Sequence, residues 1–332
     1  MVEVARVADV SVFTVSAVIN GTTAVSDGLR ERVNAAIAET GYKRNTLARS
    51  LKTGRSMTIG LTIGDITNPF YTDVAASIQK TLHDAGYAVM LCCNDGNANL
   101  QDEQVALLRD RMVDGLIMSP IGDDDELRTA LENVGVPTVL VDRTLEGFDC
   151  DSVLLDNQSA VEDAISYLIS LGHKRIGFVS GTFDSYTGRE RLAGYRKALE
   201  AAGLPFQENL VELGKFRVDD AYNATLRLMN ARMPPTAVFS SNNQMVIGVM
   251  KALRDLGLDC PEEVSVAGLD DFPWADAFKP QLTTVAQPVE AFGRHASQML
   301  LDRIDGDEKG PPRHLILKGE LRIRKSCRHV TA

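Results

Sequence analysis

From Met57 onward the chain alternates short apolar runs with amphipathic stretches, and that alternation leaves few folds open. IGLTI, YAVMLCC, GLIMSP and PTVLVD have the length of strands, while VAASIQKTLHDAG and QVALLRDRMV between them carry helical periodicity. The pattern then restarts with SVLLD, AISYLISLG, RIGFVSG, LAGYRKALEAAG, TAVFSS, MVIGVMKALRDLG and VSVAGLDD. Repetition of this kind predicts parallel sheets with helices on both faces, because each parallel return needs a crossover that packs back onto the sheet. About ten strands exceed what one open sheet usually carries, so two doubly wound α/β lobes with a cleft between them are expected.

The first 42 residues have another texture, that of three short helices. Val4, Ala5 and Ala8 form one apolar face before Asp9-Val10 interrupts it. Ser11 is a good cap for a second helix with Val15, Val18 and Ile19 inward, and Asn20-Gly21 stops that helix because both residues tolerate positive φ. Ser26 is placed to cap a third helix, with Leu29, Val33, Ala36 and Ile37 on one stripe and Gly41 at its end. Helix, short turn, helix and a closing third helix make the helix-turn-helix plan. Residues 43–56, KRNTLARSLKTGRS, have no apolar face wide enough to pack on a domain and read as a linker that becomes helical only in context.

Charge separates the same segments. The chain of 332 residues holds 35 Lys/Arg against 45 Asp/Glu, a net charge of −10 that argues against a polyanion partner for the whole. Up to Ser56, however, Arg6, Arg30, Arg32, Lys43, Arg44, Arg49, Lys52 and Arg55 face only Glu3, Asp9, Asp27, Glu31 and Glu39. A small basic head on a large acidic body points to nucleic acid for the head alone.

Other classes find little support. No apolar run approaches the roughly 20 residues of a membrane span, and MVEVARVADV lacks the basic n-region and unbroken apolar stretch of an export signal. The five scattered cysteines have no CxxC spacing, which speaks against a disulfide framework or zinc site and for a reducing cytoplasm. There is no GxGxxG after a first strand and no GxxxxGK[ST], so cofactor phosphates have no cradle and no cofactor is expected. The five histidines fall in unrelated contexts, His173 reading as a helix-end residue entering a strand, so neither an enzyme nor a metal site is expected.

With these residues in view, the chain resembles the lactose repressor/galactose repressor (LacI/GalR) family of bacterial transcription regulators over essentially its whole length. The head carries VAxxAxVS (Val4 to Ser11), TVSxVING (Thr14 to Gly21), VSxxxRERV (Val25 to Val33) and GYxxNxLARSL (Gly41 to Leu51). The body carries IGLTIGDITNPFY, RMVDGLI, GVPTVLVDR, LGHKRIGFVSG, RLAGYRKAL, PPTAVFSSNNQM, VSVAGLDD and PQLTTVAQP. The resemblance implies an N-terminal all-α helix-turn-helix domain at 1–42, a hinge helix at 43–56 and a periplasmic-binding-protein-like core at 57–332. One core lobe would be built from about 57–155 and 288–316, the other from about 156–287 and 317–330.

It also implies site residues. Val12, Phe13 and Ala17 would face base edges, while Ser11, Thr14, Ser16, Asn20 and Ser26 would meet phosphates, contacts that set register without reading sequence. Leu51 would wedge into the minor groove, with Asn45, Ala48, Arg49 and Lys52 nearby. In the cleft, Arg191, Asn242, Asp270 and Asp142 would hold an oxygen-rich effector between Phe70 and Trp274 as walls, with Arg189 and Phe183 as further candidates. The paired Arg189 and Arg191 in TGRERLAGY favour a sugar or sugar acid over a purine. The expected partners are therefore a pseudo-palindromic operator, that effector and a second copy of the chain. The alternative is a solute-binding protein of carbohydrate transport, which leaves the head unexplained.

Several positions depart from the family's pattern. Met1 sits almost inside the first helix, where a capping Thr is usual; Asp9 replaces a turn Gly, tolerable because Asp enters left-handed geometry readily. Ala17 stands where many members have Arg, Arg44 where Pro is usual, and Asn243 where Asp is usual.

Overall fold

The computed structural model describes residues 1–20, 24–42, 54–122 and 125–330, with the backbone alone at Asn20. It divides into two compact units, Met1–Ser56 and Met57–Ala332.

In the first unit, α1 (Val2–Ala8), α2 (Val12–Asn20) and α3 (Asp27–Thr40) pack around buried Val4, Ala5, Ala8, Val15, Val33 and Ala36. Met1 caps α1 without a side-chain bond. The chain leaves α1 through Asp9 at φ 50°, ψ 53°, the left-handed conformation the turn requires. Arg32 reaches back from α3 to donate to the Ala8 and Asp9 carbonyls at 2.6 and 3.0 Å. A charge counted toward the basic head thus closes the turn. Ser11 Oγ accepts the Thr14 N–H at 3.0 Å and caps α2. Ser26 begins α3 through its carbonyl, which accepts from Arg30 N–H at 3.0 Å, but its side chain makes no capping bond. That corrects the role expected of its hydroxyl.

The second unit contains two six-stranded sheets. The first has order β11-β5-β4-β3-β1-β2: β1 (Thr58–Ile63), β2 (Ala88–Cys93), β3 (Gly115–Met118), β4 (Thr138–Val141), β5 (Asp151–Leu155) and β11 (His314–Leu317). All its pairings are parallel. Helices α4 (Pro69–Asp84), α5 (Ala98–Asp110), α6 (Asp125–Val134) and α11 (Val289–Asp305) accompany it. The second has order β12-β10-β9-β8-β6-β7: β6 (Ile176–Ser180), β7 (Val211–Leu213), β8 (Ala237–Ser240), β9 (Ser265–Leu269), β10 (Thr283–Ala286) and β12 (Glu320–Arg322). Only β12 runs antiparallel. Its helices are α7 (Asn157–Ser170), α8 (Tyr186–Ala201), α9 (Val218–Met229) and α10 (Asn243–Leu256).

The central strands are buried on both faces, which is why they read as unbroken apolar runs rather than alternating ones. The chain passes between the lobes three times, at β5 to α7, β10 to α11 and β11 to β12. Strands β7 (VEL), β10 (TTVA), β11 (HLIL) and β12 (ELR) carry polar residues within three or four positions, so they do not stand out as unbroken apolar runs.

Candidate nucleic-acid interface and effector cleft

On α2 the first turn presents Val12 and Phe13 outward, 41% and 74% exposed. Ser11 and Thr14 share a hydroxyl hydrogen bond at 2.9 Å beside them. The helix offers no charged side chain, so this surface can meet thymine methyls by apolar contact but has no fork with which to hold guanine. Ala17, expected on the same reading face, is only 4% exposed. That leaves Val12 and Phe13 as the exposed large apolar side chains of α2. Ser16 is half-buried and already has a partner. Ser26 is exposed. The side chain of Asn20, and all of Asn45, Ala48, Arg49, Leu51 and Lys52, lie outside the described residues.

In the core, two carboxylates stand just beyond the C-terminal ends of parallel strands, where open α/β sheets bind ligands. Asp142 follows β4 and Asp270 follows β9, both at positive φ (66° and 71°) and both buried. Tyr71 donates its hydroxyl to Asp142 Oδ2 at 3.0 Å and lies 3.3 Å from Ser119 Oγ. Arg143 Nε lies 3.5 Å from the same carboxylate oxygen. From the other lobe Arg191 approaches Asp142 Oδ1 to 3.9 Å. It also donates to Asn157 Oδ1 at 2.7 Å and to the Ser241 carbonyl at 2.6 Å. Asp270 accepts from Gln287 Nε2, on the second crossover. Burial pushes the Asp270 carboxyl up to about 6; Arg191 and Gln287 oppose that rise and the Asp142 charge adds to it.

Aromatic and amide groups complete the cleft. Phe216 sits at φ 60°, with its ring over Gly181, where an added Cβ would lie 1.9 Å from the ring. Arg143 lies over the same ring, 5.5 Å from its centroid. Asn243 Nδ2 donates to Asn68 Oδ1 at 2.9 Å and Gln244 Nε2 to the Thr67 carbonyl at 3.2 Å, so the lobes touch through hydrogen bonds across the cleft.

This combination can be compared with known proteins. Residues 1–45 match the family described as bacterial regulatory proteins, lacI family, and residues 165–327 match the periplasmic binding protein-like domain. Over 303 residues, 91% of each chain, the sequence is 35% identical to the HTH-type transcriptional repressor PurR of Vibrio atlanticus (strain LGP32).

The chain belongs to the LacI family. It is a DNA-binding transcriptional regulator with an effector-binding core. The fold is similar to the Lac repressor dimer bound to operator and the anti-inducer ONPF, with TM-score 0.86, 28% identity and 97% of both chains covered. It is likewise similar to the transcriptional regulator CelR–cellobiose complex, with TM-score 0.76, 33% identity and 98% of both chains covered.

Against this LacI-family frame, the residues expected in the cleft divide. Asp142, Arg191 and Asp270 converge. Asn242 is close by, but its side chain caps α10 by accepting Met245 N–H at 2.8 Å; the neighbouring Asn243 is the one that bridges the lobes. Phe70 is 5% exposed and packs edge-on against Tyr71 and Phe292 in the core, leaving Tyr71, one residue on, to face Asp142. Arg189 points outward and donates to the Asp184 carbonyl at 2.8 Å, because residues two apart on a helix lie on nearly opposite faces. Trp274, 47% exposed, leans on Phe272, with ring centroids 5.5 Å apart. Phe183 is 44% exposed and lines a separate groove with Val211 and Lys215.

The residues that sequence reasoning missed are Tyr71, Ser119, Arg143, Asn157, Phe216, Asn243 and Gln287. Arg143 and Gln287 stand inside the quoted GVPTVLVDR and PQLTTVAQP, a signal that was available. Nothing in the sequence announces Phe216, whose placement depends on a left-handed backbone.

Proposed function

We propose that this regulator is a cytoplasmic homodimeric repressor, a binding protein and not an enzyme, whose operator affinity is switched by a sugar or sugar acid held between the core lobes. The observation that carries the reading is the convergence of Asp142, Arg191 and Asp270, buried together from both lobes, with Phe216 under the neighbouring Arg143, in a chain whose head is a helix-turn-helix. Two carboxylates, a guanidinium and an aromatic ring are the groups that grip vicinal hydroxyls and an apolar sugar face. The CelR–cellobiose complex shows a similar fold with a carbohydrate bound. No helix among the described residues is long and apolar enough to cross a membrane.

Dimerisation follows from recognition geometry, since one helix-turn-helix reads only a half-site. The half-exposed edge strand β2, AVMLCC, supplies an apolar surface that supports it. In this reading Val12 and Phe13 favour A·T-containing half-sites, Ser11, Thr14, Ser16, Asn20 and Ser26 set register on phosphates, and 43–56 acts as a hinge with Leu51 as wedge beside Asn45, Ala48, Arg49 and Lys52. Closure of the lobes on the effector changes the hinge pairing and so the DNA affinity.

The test is a fluorescence-anisotropy titration of the full chain against duplexes from its own upstream region, at rising salt. Tight binding to a pseudo-palindrome that weakens steeply with salt is expected. Absent or salt-insensitive binding to every such duplex overturns the proposal.

A further inference from the structure

The protein's own hydrogen bonds leave a one-sided set of valences in the cleft. No protein group donates to Asp142 Oδ1, Asn243 Oδ1 or Gln287 Oε1, and all three atoms are buried in residues at most 9% exposed. These residues surround Asp270, which accepts from the Gln287 side chain and the Asn243 backbone and sits within the fields of Asp142 and Arg191.

The two amides are held with their oxygens outstanding. Asn68 Oδ1 accepts the Phe70 N–H at 3.0 Å, a group that can only donate, so its oxygen is fixed and Asn243 must turn its nitrogen toward it. Gln287 turns its nitrogen to the Asp270 carboxylate for the same reason. What remains at each is an acceptor, and a buried acceptor without a donor costs about 1–3 kcal/mol.

The charges tell the same way. Arg191 faces Asp142 at 3.9 Å and acts on Asp270, while Arg143 faces Asp142 at 3.5 Å and lies within reach of the Asp184 charge. Both guanidiniums are therefore already matched by carboxylates. Arg143 Nε, buried without a hydrogen bond, is the atom aimed at Asp142. An incoming anion would meet three acceptors and a balanced field, with no surplus cation to receive it. Arg189, whose charge favoured a sugar acid in the sequence, lies on the other face of α8.

We infer that the effector is a neutral polyhydroxyl molecule whose hydroxyls donate to Asp142, Asn243 and Gln287, and that its carboxylated counterpart is rejected. The inference rests on the carbohydrate reading above and narrows it. A hydroxyl suits the site because it can donate to these oxygens while accepting from Arg191. A carboxylate can only accept and repels Asp142 and Asp270.

The experiment is calorimetry on the full chain with neutral and acidic probes that share one ring: D-glucose and D-glucuronate, D-galactose and D-galacturonate, D-mannose and D-mannuronate. The neutral member of the best pair is expected to bind at least about 100-fold more tightly than its acid, as buried unpaired acceptors reject a ligand in which a donating hydroxyl is replaced by a charged group that only accepts. Asp142→Asn, checked for folding by its thermal melt, should weaken the neutral sugar about tenfold or more and narrow the gap to the acid, because the amide can donate to a carboxylate. An acid that binds as well as its neutral partner overturns the inference and leaves the carbohydrate reading intact. So does D-glucosamine binding tenfold tighter than D-glucose. Failure of all six probes, with guanine and hypoxanthine as comparison ligands, removes the carbohydrate reading and this inference with it.

Discussion

Arg191 Nε donates to Asn157 Oδ1 at 2.7 Å, so the arginine that faces the cleft carboxylates also grips the first strand-to-helix passage between the lobes. The same face of α8 is pressed onto that passage by Gly194, where an added Cβ would lie 2.4 Å from the Gln158 carbonyl oxygen. Glu190 adds a third tie, accepting from Gln158 Nε2 at 2.8 Å. The cleft arginine is thereby joined to a segment that links the two lobes.

Asn157→Ala should therefore act twice. It leaves a buried guanidinium N–H without its acceptor, at a cost of about 1.5–3 kcal/mol, read as a lower urea midpoint. It should also shrink the change in operator affinity that a saturating effector produces, measured by anisotropy with and without that ligand. An unchanged ratio of the two affinities would show that Asn157 only braces the fold.

Asp270 gives the stability of the core a pH dependence of definite sign. Its folded carboxyl titrates near 6, above the unfolded range near 4, so folding favours the protonated form. The contribution is fully present below about pH 4 and is lost as pH rises through about 6. At pH 8 the buried charge costs about 3 kcal/mol at most. Asp270→Asn keeps an acceptor for Gln287 and removes the charge, so it should raise the melting temperature at pH 8 and leave it nearly unchanged at pH 4. Equal shifts at both values would show that Asp270 ionises without penalty.

Much of this arrangement was legible because it follows from periodicity. Strand ends announce Asp142 and Asp270, since a polar residue right after a buried apolar run marks the C-terminal edge of a parallel sheet. What failed was helical phase. Phe70 and Tyr71 are neighbours, yet a rotation of about 100° sends one into the core and the other to Asp142. Arg189 and Arg191 look paired in one dimension and separate in three. Phe216 was beyond reach, because its approach to Gly181 depends on two successive left-handed residues, Lys215 and Phe216, that a non-glycine sequence does not advertise. At Ala17 the reason is simpler: a methyl at that position of α2 is buried, 4% exposed.

Asp151 secures the first lobe. Its buried carboxylate accepts from Arg303 Nε and Nη2 and from the backbone N–H, Nε and Nη2 of Arg313, tying β5 to α11 and to the approach to β11. Burial alone would push its carboxyl up, but the bonds from Arg303 and Arg313 hold it below the usual carboxylate range. That contribution is present above the unfolded value near 4 and is lost as pH falls below it. Asp151→Ala should cost about 1.5–3 kcal/mol at pH 7, since it removes the charged acceptor that Arg303 and Arg313 share while Arg313 keeps Asp302 and Arg303 keeps the Gly310 and Pro311 carbonyls, and less in acid. Urea unfolding at both pH values checks it; a loss below 1 kcal/mol at pH 7 would show that water replaces the carboxylate.

The head offers the sharpest separation of affinity from specificity. Phe13 is 74% exposed at the start of α2 and lies outside the apolar cluster of the head, so Phe13→Ala should leave the melt of the head unchanged. It carries no charge, so the number of counterions released on binding, and with it the salt slope, should also stay as it was. What should fall is the preference for the best half-site over one with its A·T pairs changed to G·C, by about tenfold, the value of roughly one good apolar contact to a thymine methyl. Arg32→Ala is the contrasting variant. Arg32 is spent on the Ala8 and Asp9 carbonyls, so its loss should lower the stability of the head and weaken all operators alike. Competition anisotropy with the paired duplexes distinguishes the two. If Phe13→Ala weakens both duplexes equally, base reading does not pass through this residue, and the apolar face of α2 serves only to fill the groove.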